Sequence, residues 1–207
     1  ASGLADELNT YWSNTMAARG LESHLEMEFE KVYSTFVLPL ARGREGGARK
    51  RYAGMRGHGE EEAIEFIGME YVRSDWTHLA KQFQYELYLR VMRDENIKLW
   101  LKDFVTRLMG GEMDELLIYR KRLKKPVAKY TRNISPQVRA ARMLKKPGRE
   151  VKYLMTRSGP IPIQLKPKDP DYQHYLDKQI RPLADSLLGL MGTSLQELTG
   201  PEQLKLF

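Results

Sequence analysis

Between Leu116 and Arg149 the sequence runs 34 residues without one aspartate or glutamate, and it carries 12 cations there: Arg120, Lys121, Arg122, Lys124, Lys125, Lys129, Arg132, Arg139, Arg142, Lys145, Lys146 and Arg149. Lysine and arginine are almost never fully buried without a partner, so this stretch has to end up on a surface. It is not a disordered basic tail, because Leu117, Leu123, Val127, Ile134 and Val138 recur through it as a folded segment requires. The whole chain is +7, so the other 173 residues sum to −5. Positive charge concentrated on one element against mildly acidic surroundings points to a polyanion as partner.

At 207 residues, 42% of them hydrophobic and 10% aromatic, the chain can fill the core of one large domain or two small ones. No apolar run approaches the ~18 residues needed to cross a bilayer, and no basic-then-apolar leader opens the chain. The expectation is a soluble, cytoplasmic protein with no membrane partner. There is no cysteine, which excludes disulfides, thiolate metal sites and cysteine nucleophiles within this sequence, and the four histidines lack ligand spacing. A helical pattern begins within three residues of Ala1, which suggests one piece of a larger protein.

Leu4, Leu8, Tyr11 and Trp12 recur at helical spacing before Gly20. From Leu25 to Tyr33 the period becomes two, with Glu26, Glu28 and Glu30 opposite Met27, Phe29 and their apolar neighbours, and a strand is expected. Residues 41–48 form a Gly/Arg loop, 50–55 and 63–67 are candidate strands, and 56–59 are the turn between them. The first 72 residues thus predict a small antiparallel sheet with a helix. After Arg73 the pattern turns helical. Ser74 or Asp75 is the expected cap of a helix through Val91, and a second helix runs from about Glu95 to Gly110 and Gly111. Residues 116–123 and 151–156 are expected strands, Ser135 and Pro136 open a short helix, and the prolines from 160 to 170 predict a loop. Asp171 caps a helix reaching Leu190 despite Pro182, and Ser194 with Glu197 forms a capping box. The fold class is α+β, with a boundary near residue 72 and a mainly helical second part carrying a few short strands.

Three constellations bear on function. Arg49 to Gly54 sets cations beside an aromatic. In a strand Lys50 and Tyr52 share one face, either as a solvated basic edge or as a pair reaching into the groove of a duplex, with Arg51 beside them. Tyr119 to Asn133 supplies seven cations in fifteen residues, mixing arginine forks suited to phosphate with lysine point charges, and Tyr130 interrupts them. Glu26, Glu28 and Glu30 could bind magnesium as a nuclease would, but no Asp-x-Asp lies near them and Lys31 falls on the opposite face from Glu30. A half-exposed charged strand accounts for them. Asp169 and Asp171 fit a loop and a helix cap, and His174 with Tyr175 fits packing. No catalytic or metal-ligating residue is assigned.

In this order the segments resemble the C-terminal part of B-family DNA polymerases over almost all of the chain. Glu26 to Tyr33 is similar to the palm strand that follows the family's catalytic aspartate motif, Lys50-x-Tyr52-Ala53-Gly54 to its KxY motif, and Arg73-x-Asp75-Trp76 to the entry of the thumb. Tyr119 to Leu123 with Tyr130 and Pro136-x-Val138-Arg139-Ala140-Ala141 resembles the thumb segment that grips primer-template backbone. Asp171-Tyr172 through Pro182 resembles the closing helix, and Gln203-Leu204-x-Leu206-Phe207 a sliding-clamp-binding tail. The resemblance implies palm for residues 1–72, thumb for 73–200 and a clamp tail for 201–207. It implies DNA contact by Lys50, Arg51, Tyr52, Arg120, Lys121, Arg122, Lys124, Lys125, Lys129, Tyr130, Arg132 and Arg139, and clamp contact by Gln203, Leu204, Leu206 and Phe207. The family's Asp-x-x-Ser-Leu-Tyr-Pro and Tyr-Gly-Asp-Thr-Asp segments do not occur in this sequence. Magnesium is therefore expected only in a complete polymerase, whose remainder becomes an implied partner beside primer-template DNA and the clamp. The alternative is a non-catalytic duplex-binding accessory protein recruited by the clamp. The loop after Arg142 is shorter than in the family, so the resemblance assigns no contact to Lys145, Lys146 or Arg149.

Overall fold

The computed structural model describes residues 2–40, 50–57, 62–132 and 134–200. The expected loop at 41–48, Arg49, the end of the turn at His58 and Gly59, and the tail residues Gln203, Leu204, Leu206 and Phe207 lie outside the described residues. The chain divides into two compact units, residues 1–34 and 35–207.

In the first unit, helix α1 (Ser2–Ala17) ends where expected, with Gly20 in the left-handed region at φ +69°. The expected strand at 25–33 is absent: these residues belong to no helix or sheet. The Asn9 side chain on α1 takes the place of a partner strand. Its Nδ2 donates to the Met27 carbonyl at 2.9 Å and its Oδ1 accepts from the Met27 N–H at 2.7 Å, so both backbone groups of Met27 are satisfied by a helix. Leu4, Tyr11, Leu25 and Phe29 remain exposed.

The second unit begins with an antiparallel sheet in the order β1 (Thr35–Val37), β2 (Tyr52–Arg56) and β3 (Ala63–Ile67). Its inward residues Ala53, Met55, Ile64 and Phe66 are buried, as the alternation requires. Phe66 packs on Tyr71 and on Tyr85 and Tyr88 of helix α2 (His78–Met92), with ring centroids 4.7 to 6.2 Å apart. Neither Ser74 nor Asp75 caps α2. Thr77 does, accepting from the Ala80 N–H, because the Asp75 carboxylate is occupied by Arg73 and Lys121. Helix α3 (Lys98–Met109) lies against α2 through Phe83, which stacks on Trp100 at 5.5 Å and meets Phe104 at 4.8 Å.

A second antiparallel sheet follows in the order β4 (Tyr119–Arg122), β5 (Glu150–Thr156) and β6 (Gly159–Pro162), with helix α4 (Pro136–Arg142) packed on β5 and β6. Strand β4 is shorter than expected because Asp114–Leu116 is a turn of 3-10 helix. Strand β6 occupies part of the expected proline loop. Pro160 and Pro162 are two residues apart, so both missing N–H groups fall on one side of an edge strand, the place where a sheet tolerates proline. The expected single helix from Asp171 is interrupted. Helix α5 (Tyr172–Tyr175), capped by Asp171, passes through a π turn at Leu176–Ile180 into α6 (Arg181–Leu188). Pro182 cannot donate to the carbonyl of Lys178, and the Gln179 amide donates to it instead at 3.4 Å. The Gln179 Oε1 accepts from the Thr77 hydroxyl at 2.9 Å, which fastens the π turn to the start of α2. Helix α7 (Leu195–Thr199) closes the described chain behind the Ser194 and Glu197 capping box. Two three-stranded antiparallel sheets with seven helices among the described residues make this an α+β fold.

Candidate nucleic-acid interface

Strand β4 alternates as a half-buried strand should: Tyr119 and Leu123 are buried, and Arg120 and Arg122 are exposed. Tyr119 anchors the strand from beneath. Its ring stacks on Tyr153 at 5.1 Å and on Tyr175 at 5.6 Å, and its phenol oxygen lies 3.0 Å from His174 Nε2. Burial raises the phenols of Tyr119 and Tyr175 far above their ordinary value and pushes Tyr153 up to about 12, while burial lowers His174. The support of the basic face is thus neutral around pH 7, and the charge sits on its outer side.

On that outer side the register sets Arg120 directly opposite Lys152 and Arg122 opposite Glu150. Like charges facing one another across an antiparallel pair destabilise it by a few tenths to about 1 kcal/mol, which an anion laid over them would relieve. Lys152 lies outside the acid-free stretch, and only strand register brings it to this face. Lys121 turns elsewhere. Its Nζ meets Asp75 Oδ2 at 3.1 Å, and Arg73 Nε meets the same carboxylate at 2.9 Å. Burial works against ionisation of Asp75, but the hydrogen bonds from Arg73 and Lys121 outweigh it and hold the carboxyl below its ordinary range.

Beyond β4 the chain turns through Pro126 and a 3-10 turn at Val127–Lys129. Tyr130 fixes this loop from inside. Its hydroxyl accepts the N–H of Lys124 at 3.0 Å, the Lys125 ammonium lies 4.8 Å from its ring centre, and its carbonyl accepts from Arg142 at 2.7 Å. Arg120, Arg122, Lys124, Lys125, Lys129, Arg132 and Arg139 are exposed, and among the described residues none of them is in an ion pair. A groove of about 870 Å³ opens between this loop and the segment Pro147 to Arg149, with Arg122, Lys124, Lys125 and Arg149 on its walls and Val127 among its apolar lining. Arg149 thus lines the same groove as Arg122, Lys124 and Lys125, whereas Lys145 and Lys146 do not.

The other motif sits on the first sheet. Lys50 is exposed, but it has φ +56° and precedes β2, so it does not share a strand face with Tyr52 as the alternation predicts. Tyr52 is half-buried, its ring 5.0 Å from Phe36. Arg51 points inward, and its Nη2 donates to both carboxylate oxygens of the buried Glu70. The short segment from Glu70 to Asp75 therefore holds one cation from each motif: Arg51 through Glu70, and Lys121 through Asp75.

Glu26, Glu28 and Glu30 stand on a segment outside any sheet, and Glu30 lies 3.5 Å from Lys31. Among the described residues no three carboxylates or histidines converge to hold a metal ion, so the described residues do not fit magnesium. No helix among them is long and apolar enough to cross a membrane.

An α+β chain that braces a cationic motif on each of two sheets matches the family model for DNA polymerase family B over residues 4–184, and the chain belongs to that family. It is 40% identical to DNA polymerase II of Escherichia coli strain K12, in an alignment that covers 99% of this chain and 28% of that protein. It is 30% identical to DNA polymerase 2 of Aeropyrum pernix over 74% of this chain and 21% of that protein. Its fold matches the family B DNA polymerase of Pyrobaculum calidifontis with a TM-score of 0.61 at 24% identity, covering 94% of this chain and 25% of that structure. The chain thus spans roughly a quarter of the length of these relatives.

Proposed function

We propose that this chain is the C-terminal palm and thumb portion of a polymerase II-like DNA polymerase, and that it grips primer-template duplex by its backbone. In this reading residues 1–72 complete the palm, 73–200 form the thumb, and 201–207 are a tail that tethers the enzyme to a sliding clamp in the cytoplasm. Nucleotidyl transfer belongs to the complete polymerase. Its carboxylates and magnesium are supplied by the remainder of the enzyme, because two metal ions have to be clamped by acids about 4 Å apart. The reading rests above all on the row of exposed cations from Arg120 to Arg132, none ion-paired among the described residues except Lys121. Arginine forks at 120, 122 and 132 suit bidentate phosphate contact, and the lysines between them add point charges.

A salt titration tests it. If ~6 of these cations meet phosphates, duplex affinity falls by about three orders of magnitude between 50 and 200 mM salt. Binding that stays flat across that range overturns the proposal. The tail is tested separately: deleting residues 203–207 abolishes clamp binding and leaves duplex affinity unchanged.

A further inference from the structure

The cation that stands between Lys50 and Tyr52 faces the wrong way for phosphate. Arg51 Nη2 donates to Glu70 Oε1 and Oε2, both at 2.5 Å, and the Glu70 side chain is only 3% exposed. The Arg51 Nε is buried without a hydrogen-bond partner, a cost incurred only because the fork is turned inward. Glu70 also accepts from the fully buried Gln84 of α2 at 3.1 Å, and Gln84 in turn accepts the N–H of Tyr71 at 2.7 Å. One carboxylate thus joins the residue after Lys50 to the helix beyond the first sheet. A second contact works on the backbone. Gly68 holds φ +63° and lies so close to Lys50 that a Cβ there would collide with the Lys50 carbonyl oxygen. Residues 50 and 51 are therefore held from two sides by the turn between β3 and α2, while the Lys50 side chain stays in solvent.

We infer that Glu70 is a positioning residue for the Lys50 and Tyr52 end of the duplex grip, and that Arg51 is the strut through which it acts rather than a phosphate contact. This rests on the preceding reading that Lys50 and Tyr52 meet the duplex. A guanidinium neutralised by a buried carboxylate has little charge to offer a phosphate, but it fixes the chain on both sides of itself. Released from Glu70, Lys50 keeps its charge and loses its place.

Glu70→Gln separates the two roles of Arg51, because they predict opposite signs. If Arg51 were a phosphate contact, freeing its charge would tighten duplex binding. As a strut, its release weakens binding about fivefold, and that loss disappears in a Lys50→Ala background because Glu70 acts through Lys50. Gln84→Leu removes one donor while leaving the ion pair, so it reads out the same sign with a smaller loss if Glu70→Gln does not fold. Duplex anisotropy on the four chains of the cycle decides the matter. Glu70→Gln binding as tightly as the parent or tighter, while Lys50→Ala weakens binding, overturns the inference and leaves the duplex grip standing. Equal losses from Glu70→Gln with and without Lys50 also overturn it. If Lys50→Ala and Tyr52→Phe both leave affinity unchanged, the contact reading at this motif fails and the inference fails with it.

Discussion

The two sheets carry their cations in opposite ways. On the first sheet the central arginine of the motif is drawn inside to Glu70, while Lys50 beside it stays exposed. On the second, Arg120 and Arg122 project outward, Arg120 against Lys152 of the next strand, and the one inward-leaning cation, Lys121, meets a partly exposed carboxylate. A charge committed to the fold stabilises it and is lost to the ligand. A charge left facing its like costs the fold a little and stays available to a polyanion.

The sharpest way to break this contrast is to remove the two anchoring acids in turn. Glu70→Ala strands the Arg51 guanidinium in a mostly buried site and is expected to cost about 3 kcal/mol in urea unfolding. Asp75→Ala releases an exposed pair and is expected to cost ~1 kcal/mol or less. Equal costs would mean that the two anchors do not differ as their burial implies.

The next effect falls on the outward cations. Replacing Arg120, Arg122 and Lys124 with alanine together is expected to lower the slope of log affinity against log salt by about 3, since each phosphate contact contributes roughly 0.9. Thermal stability should stay about level, because relieving Arg120 of its place opposite Lys152 is offset by removing Arg122 from its place opposite Glu150. A large drop in stability with an unchanged slope would show that these residues serve the fold as Arg51 does.

The smallest effect is a pH dependence confined to the second sheet. Burial lowers His174 below its ordinary value of 6.5, so as pH falls the unfolded chain takes up this proton before the folded one. The stabilising contribution is complete above that value and is lost as pH drops through the lowered folded value. Protection factors in β4 and β5, corrected for the intrinsic exchange rate at each pH, should therefore fall between pH 7.5 and 5.5 more than in β2 and β3. His174→Gln should remove the difference; if it persists, the His174 and Tyr119 contact is not its source.

Much of this architecture was legible in residue order. The capping box at Ser194 and Glu197, the Asp171 cap, Pro136 at the start of α4 and the runs that become β3, β4 and β5 are local signals, and local geometry honours them. The misses share a cause. The alternating glutamates at 26, 28 and 30 have strand periodicity, but a strand needs a partner, and Asn9 satisfies Met27 in its place. Ser74 and Asp75 have the chemistry of a cap, but Asp75 is claimed by Lys121, 46 residues away. The prolines at 160 and 162 suggest a loop until they are seen to occupy an edge.

The acid-free stretch by itself determined that this protein carries one concentrated positive surface, because such charge has no low-energy place except in solvent. The sequence also carried the family, through motifs in a fixed order. Tertiary structure alone decided which cations remain free. Loop closure brings Arg149 to the groove, strand register sets Lys152 opposite Arg120 with Glu150 3.9 Å from its ammonium, and two acids five residues apart withdraw Arg51 and Lys121. Charge can be counted along a chain, but whether it is neutralised depends on what lies within a few ångströms of it, and that is settled only when distant segments pack.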